Sequence, residues 1–165
     1  MIWKKCDHLA YLIVQNLLAG ENVKKFGFKF LLAVGLLLSS VHASNLVDAT
    51  DPDQIVNIAS GFGSATLEKD SAGDPIVFGR IDGTRYAIYF YGCKNNKNCK
   101  EIQFATGWSG QNVSLSDINK WNTEKRHGKA YLNSDNDPML EMTINLYQGV
   151  SKRNLEDSFD MWTIV

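Results

Sequence analysis

The chain has 165 residues, 44% of them hydrophobic and 21% charged, with a formal net charge of −1. That is the length of one globular domain with an extension. A balance this close to neutral makes the chain a poor candidate for nonspecific nucleic-acid binding, which needs clustered cations to displace counterions, so no nucleic-acid partner is expected.

The extension lies at the front. Lys24, Lys25 and Lys29 precede the apolar run FLLAVGLLL at 30–38, and the small residues Val41 and Ala43 follow. Basic end, short apolar core and small-residue exit make a secretory signal peptide cut between Ala43 and Ser44. Nine apolar residues are too few for a bilayer span, which takes about 20. No cysteine follows them to carry a lipid, so no stable membrane anchor is expected after cleavage. Residues 1–22 form an odd forerunner containing a second apolar stretch, LAYLIVQNLLA at 9–19. Two readings stand for it: translation that begins at Val23, leaving a leader of ordinary proportions at 23–43, and a membrane-embedded extension. Either way residues 1–43 are leader, 44–50 a linker and 51–165 the domain, and the location is periplasmic or secreted. Beyond residue 43 the chain carries 12 basic and 16 acidic residues, a formal charge of −4.

Asp51-Pro52-Asp53-Gln54 opens the first helix, with Asp51 as cap, Pro52 at the first position and Gln54 closing a capping box. Ile55, Ile58 and Ala59 recur at helical spacing, and Gly61 or Gly63 is expected to end the helix. ATLEKD, the turn SAGDP and IVFGRI then read as a hairpin. Asp82-Gly83 is the strongest two-residue hairpin signal in the chain. It leads into TRYAIYFYG, and EIQFATGW follows beyond an Asn-rich loop bracketed by Cys93 and Cys99.

In an oxidising compartment an even pair of cysteines favours a structural disulfide. The spacing does not fit a CxxC redox motif, and two thiols with His127 as the only histidine past the leader do not make a zinc site. Placing Cys93 opposite Cys99 pairs Phe90 with Ile102, Ile88 with Phe104 and Tyr86 with Thr106. These even positions form the core face, and a one-residue slip would destroy the agreement. The odd positions, Tyr91 with Glu101 and Tyr89 with Gln103, form a more polar face expected to include the bridge. The bridge reads as a register clamp on a floppy Asn-rich turn.

SLSDINKWNTEKRHG is expected to be a second helix, with Leu115, Ile118 and Trp121 on one face and Gly128 as its stop. KAYLN, the turn SDNDP and MLEMTINLY make another hairpin. A last helix follows Gly149-Val150-Ser151 with Leu155, Phe159 and Trp162 on one stripe. The order α-β-β-β-β-α-β-β-α is an α+β domain: an antiparallel sheet of about six strands flanked by three helices.

No catalytic set emerges. His127 lacks a nucleophile and an orienting acid. Gly107-Trp108-Ser109-Gly110-Gln111 has Gln111 where the nucleophile elbow needs glycine. Asp135-Asn136-Asp137 lacks the glycine and glutamate of a calcium loop, since Leu140 and Leu146 occupy those positions. No metal and no cofactor is expected. Lys120, Lys125, Arg126, His127 and Lys129 cluster at the end of the second helix, where cations complement the helix dipole. Tyr89, Tyr91, Lys125, Arg126 and Lys129 are the candidate partner surface. The competing reading is an enzyme or small-ligand binder using a cleft near Arg80, Arg85 and Trp108.

The run GRIDGTRYAIYFYGCKNNKNCKEIQFATGW, then INKWNTEKRHGKAYLNSDNDPMLEMTINL and GVSKRNLEDSFDMW, strongly resembles the YbjN family, labelled a putative bacterial sensory transduction regulator. The resemblance covers about 48–162. It implies a fold like that of type III secretion chaperones, small α+β proteins that dimerise and bind other proteins, and it implies no catalytic residues. The expectation is an exported, non-enzymatic, chaperone-like or regulatory binding module, a homodimer with an unidentified protein partner. The final helix is shorter than in many relatives.

Overall fold

The computed structural model describes residues 46–165; the leader expected at 1–43 and its cut between Ala43 and Ser44 lie outside the described residues. The first helix, α1 (Pro52–Ala59), begins where Asp51 accepts the Gln54 N–H at 3.4 Å. The Gln54 side chain does not turn back to the Asp51 backbone; its amide donates to the second carboxylate oxygen at 2.8 Å. The helix ends at Ala59, ahead of both glycines, and buries Ile55, Ile58 and Ala59.

Six strands follow: β1 (Ser64–Lys69), β2 (Pro75–Ile81), β3 (Thr84–Tyr91), β4 (Glu101–Gly107), β5 (Lys129–Leu132) and β6 (Pro138–Asn145). They form one sheet in the order β1-β2-β3-β4-β6-β5, and all its pairs are antiparallel. Helix α2 (Leu115–Glu124) carries the chain past the β4 edge, so the second hairpin docks with β6 inward and β5 outermost. Helix α3 (Lys152–Thr163) closes the domain.

The register of the central hairpin is the one the apolar pattern dictates. Phe90 pairs with Ile102, Ile88 with Phe104, and Tyr89 with Gln103. Asp82 and Gly83 both take positive φ, 48° and 84°, as a two-residue turn between right-twisted strands requires. All three helices lie on the even face of β3 and β4. Val77, Tyr86, Ile88, Phe90, Ile102, Phe104, Leu140 and Met142 share one core with Ile55, Leu155, Phe159 and Trp162, and Ile118 and Trp121 of α2 pack against it. Phe104 is its hub: its ring meets Phe159 edge-on at 4.8 Å and Trp162 at 5.4 Å. Gly79 faces Tyr86 across the strands. A Cβ there would run into the Tyr86 ring, coming within 2.6 Å of Cε1, so the missing side chain makes room for the ring.

The Cys93–Cys99 loop differs from expectation in two ways. The sulfurs stand at bonding distance, with Cα atoms 3.8 Å apart. Cys99, however, is buried in the core and Cys93 packs against it, rather than on the polar face beside Tyr89 and Tyr91. The reason is Gly92, whose φ of 67° breaks the alternation after Tyr91. Nor is the Asn-rich loop irregular. Lys94 and Lys97 exchange backbone hydrogen bonds at 2.6 and 3.1 Å around Asn95-Asn96, both left-handed, and Asn98, also left-handed, is the extra residue that restores the register. Asn96 then ties this loop to the β1–β2 turn, donating to Ala72 O and Asp74 Oδ1, each at 2.9 Å.

Three other expectations need correction. Leu115 is 72% exposed and does not join the half-buried stripe of Ile118 and Trp121. Helix α2 stops at Glu124, with Lys125 as its cap; Gly128 does not end it, but enters β5 in a left-handed conformation. The physical cause is Asn122, which holds β5 against the helix by accepting from Ala130 N at 2.9 Å and donating to Ala130 O at 3.0 Å. Finally, the segment expected as a linker contributes to the core. Val47 and Ala49 are buried, and Val47 forms an antiparallel bridge with Val150.

Candidate functional site

Because the helices occupy one side, the other face of the sheet has no covering element among the described residues. Alternation and register place on it Phe78 and Arg80 of β2, Arg85, Tyr89 and Tyr91 of β3, Glu101 and Gln103 of β4, Glu141 of β6, and Lys129 and Tyr131 of β5. Small residues at the centre, Ala87 and Ala105, leave a shallow floor between taller side chains. Phe78 and Tyr91 are 45% and 46% exposed, a large aromatic surface for water to bear.

A polar network crosses this face. Glu141 takes the Lys129 ammonium at 2.8 Å and the Tyr131 hydroxyl at 2.6 Å. Gln103 donates to Glu141 at 3.3 Å and to Thr143 at 3.1 Å, and accepts from the Tyr91 hydroxyl at 3.2 Å. Burial by itself would raise the Glu141 pKa, but the hydrogen bonds from Lys129 and Tyr131 and the charge of Lys129 outweigh it and hold the carboxyl below its ordinary value. The bond to Glu141 pushes Tyr131 up to about 12, helped by burial. Tyr91 is raised too, chiefly by burial and then by the negative charge of Glu141. These shifts favour an ionised Glu141 and neutral Tyr131 and Tyr91, which suits a surface presented for binding.

The candidate surface residues divide. Tyr89, Tyr91 and Lys129 share the open face, with the two tyrosine rings 6.4 Å apart. Arg126 lies at its margin, where it lines a cleft of about 420 Å³ with His127, Lys129, Gln103 and Glu141. Lys125 stays at the α2 terminus, its N–H bonded to Trp121 O. Of the basic cluster, Lys120 lies within α2, 4.0 Å from Glu124, while Arg126, His127 and Lys129 follow the helix, so the dipole accounts for Lys125 alone. The alternative cleft is not assembled. Arg80 and Arg85 line a cavity of about 320 Å³ on the open face, with Ser64 and Phe78. Trp108 lines separate helix-side cavities, one with Trp121 and one with Tyr86 and Trp162.

Phe78, Gln103 and Glu141 were missed as site residues. The signal for them was available: in β6 the polar residues Glu141 and Thr143 alternate with Leu140 and Met142, marking one face as polar. Among the described residues, no group of three or more His, Cys, Asp or Glu is placed to hold a metal ion, and no helix is long and apolar enough to cross a membrane.

Among known families, the model for YbjN, described as "Putative bacterial sensory transduction regulator", matches residues 51–165. No curated protein matches the chain.

Proposed function

Since the chain belongs to the YbjN family, we propose that it is an exported, non-enzymatic regulator that works by binding protein through the open face of its sheet. One observation carries the reading: all three helices pack on one side, and the other side offers Phe78, Tyr89 and Tyr91 around the ordered Lys129–Glu141–Gln103 network. An amphipathic aromatic patch set on a rigid sheet is the composition that protein contact surfaces favour. Export is supported by the leader at 23–43 and by the placement of Cys93 against Cys99. Chaperone-like behaviour follows the same logic, because a wide, pre-organised face accepts a partner without ordering a loop.

The test compares a deletion strain complemented with the wild-type chain and with Phe78→Asp. Fractionation and mass measurement are expected to find both proteins outside the cytosol, beginning at Ser44 and two mass units lighter for the cysteine pair. Expression profiling is expected to show that only the wild type restores the parental pattern. A cytosolic, reduced product, or full complementation by a folded Phe78→Asp, would overturn the proposal.

A further inference from the structure

A tryptophan-lined groove lies on the helix side of the sheet. Helix α2 packs along β5, and a hollow of about 410 Å³ opens between Ile118 and Trp121 of α2, Ala130 of β5, Leu140 of β6 and Trp108 just beyond β4. A hollow of about 160 Å³ adjoins it, sharing Trp108, Leu140 and Val165 and adding Tyr86 and Trp162. The larger one alone falls in the range of small-molecule sites, about 300–1,000 Å³. Trp108, Trp121 and Trp162 are the tryptophans beyond residue 43, and all three stand in these walls. Two are held in place. The Trp108 backbone N–H donates to Pro138 O at 3.1 Å, and Trp121 lies over Gly128, where a Cβ would come within 3.3 Å of its Cη2. Trp108 is nonetheless 45% exposed. The charge at the rim has one sign. Asp117 of α2 lines the larger hollow and Asp82 of the β2–β3 turn the smaller, and no Lys, Arg or His among the described residues lines either. Asp117 accepts from Ser114 N at 3.1 Å and Ser114 Oγ at 2.6 Å, both on Oδ2, and its Oδ1 has no hydrogen-bond partner among the described residues. Those bonds hold its carboxyl below the ordinary value, which favours the charged form. Asp82 forms no ion pair among the described residues.

We propose that this groove binds a small organic cation: an ammonium group on the faces of Trp108 and Trp121 beside Asp117, with an apolar body lying over Leu140 toward Trp162. The lining selects that class. Tryptophan is the best aromatic partner for a cation, because its ring face is negative, and alkylated ammonium groups are the ligands that such aromatic walls hold. Carboxylates with no basic side chain beside them attract cations and repel anions. A bare metal ion is a poor fit, since it needs several convergent oxygen ligands and the floor here is Ile118, Ala130 and Leu140. That floor instead gains from being covered by apolar surface. A neutral apolar molecule would cover it but leave the carboxylates unused. The groove and the open face of Phe78 and Tyr91 lie on opposite sides of the sheet, and neither reading depends on the other.

The test titrates full-length protein, expressed with its own leader, with three probes that share one ring: benzyltrimethylammonium, benzyl alcohol and benzenesulfonate, at constant ionic strength. Indole emission is the readout, because the tryptophans beyond the leader all line the groove. Benzyltrimethylammonium is expected to saturate with a Kd of about 1 mM or below. Benzyl alcohol and benzenesulfonate are expected to bind at least about tenfold more weakly. Trp108→Leu keeps apolar surface but removes the ring face, and Asp117→Asn keeps an acceptor for Ser114 but removes the charge. Each is expected to weaken the ammonium probe about tenfold, with circular dichroism confirming the fold. Tyr147→Leu removes an aromatic side chain that is 59% exposed and lies outside the groove, and it is expected to bind as the wild type does. No saturation by about 10 mM, benzenesulfonate binding as tightly as the ammonium, or unchanged affinity in either folded groove variant would each overturn the proposal. A loss in Tyr147→Leu as large as in Trp108→Leu would overturn it too, by showing that any exposed ring serves. Where a variant fails to fold, the three probes on the wild type decide.

Discussion

Tyr86→Phe is expected to stabilise the protein. The Tyr86 side chain is 4% exposed, and its hydroxyl finds no hydrogen-bond partner among the described residues. Leaving a buried donor unsatisfied costs about 1–3 kcal/mol, and phenylalanine removes the hydroxyl while keeping the ring against Gly79 and Phe104. With some loss of contact around the ring edge, a net gain of about 1 kcal/mol is expected, or about 4 °C in Tm for a domain of this size. The pH dependence supplies a second signature. Burial raises the Tyr86 pKa from 10.0 to about 12. A folded pKa above the unfolded one means that the contribution is fully present below pH 10 and is lost as pH rises toward 12. At 1.36 kcal/mol per pKa unit that loss is about 2.7 kcal/mol. Urea unfolding of wild type and Tyr86→Phe at pH 7 and pH 11 measures both effects: the variant is more stable at pH 7, and its advantage widens at pH 11. A variant less stable than wild type by 1 kcal/mol or more would refute the reasoning, because it would mean that the hydroxyl is engaged.

Glu141→Gln is expected to cost about 1–2 kcal/mol, since it removes the charge that Lys129 and Tyr131 both address. Glu141 has a lowered pKa, so its contribution is present above the unfolded value and fades as pH falls through the folded one; stability curves from pH 7 to pH 3 are expected to be flatter for the variant. Asn96→Ala loses the bonds to Ala72 and Asp74 and places a Cβ-bearing residue without a polar side chain at φ 60°, a cost of about 2 kcal/mol. Asn96→Gly keeps the backbone conformation and is expected to recover part of that loss, with hydrogen exchange rising in residues 70–74 for both. Reduction of the Cys93–Cys99 pair opens a seven-residue ring, for which loop entropy gives about 2.4 kcal/mol; denaturation with and without reductant checks it, and an unchanged midpoint would show that the Asn95-Asn96 turn holds the register unaided.

Local chemistry made much of the fold legible. Asp82-Gly83 is readable because few residue pairs accept two successive left-handed conformations, and the β3–β4 register is readable because a slip would put Phe90 and Ile102 on opposite sides. What was not legible depends on contacts between elements. Asn122 holds β5 and so shortens α2, while Val150 draws Val47 out of an apparent linker into the core. The cysteines changed face because Gly92 turns left-handed, a freedom glycine permits but does not announce. The open face is the deepest case. Phe78, Tyr89 and Tyr91 have the composition of a covered surface, and periodicity alone does not say whether a helix or a partner does the covering.

Site-specific photo-crosslinking in the living host tests the contact surface most directly. A photoreactive phenylalanine analogue placed at Phe78, on the open face, is expected to give a discrete crosslinked product, and the same group at Ser116, exposed on α2, is expected to give none. Crosslinks from Ser116 with none from Phe78 would contradict the account, for they would place the partner on the helices and leave the aromatic face in water.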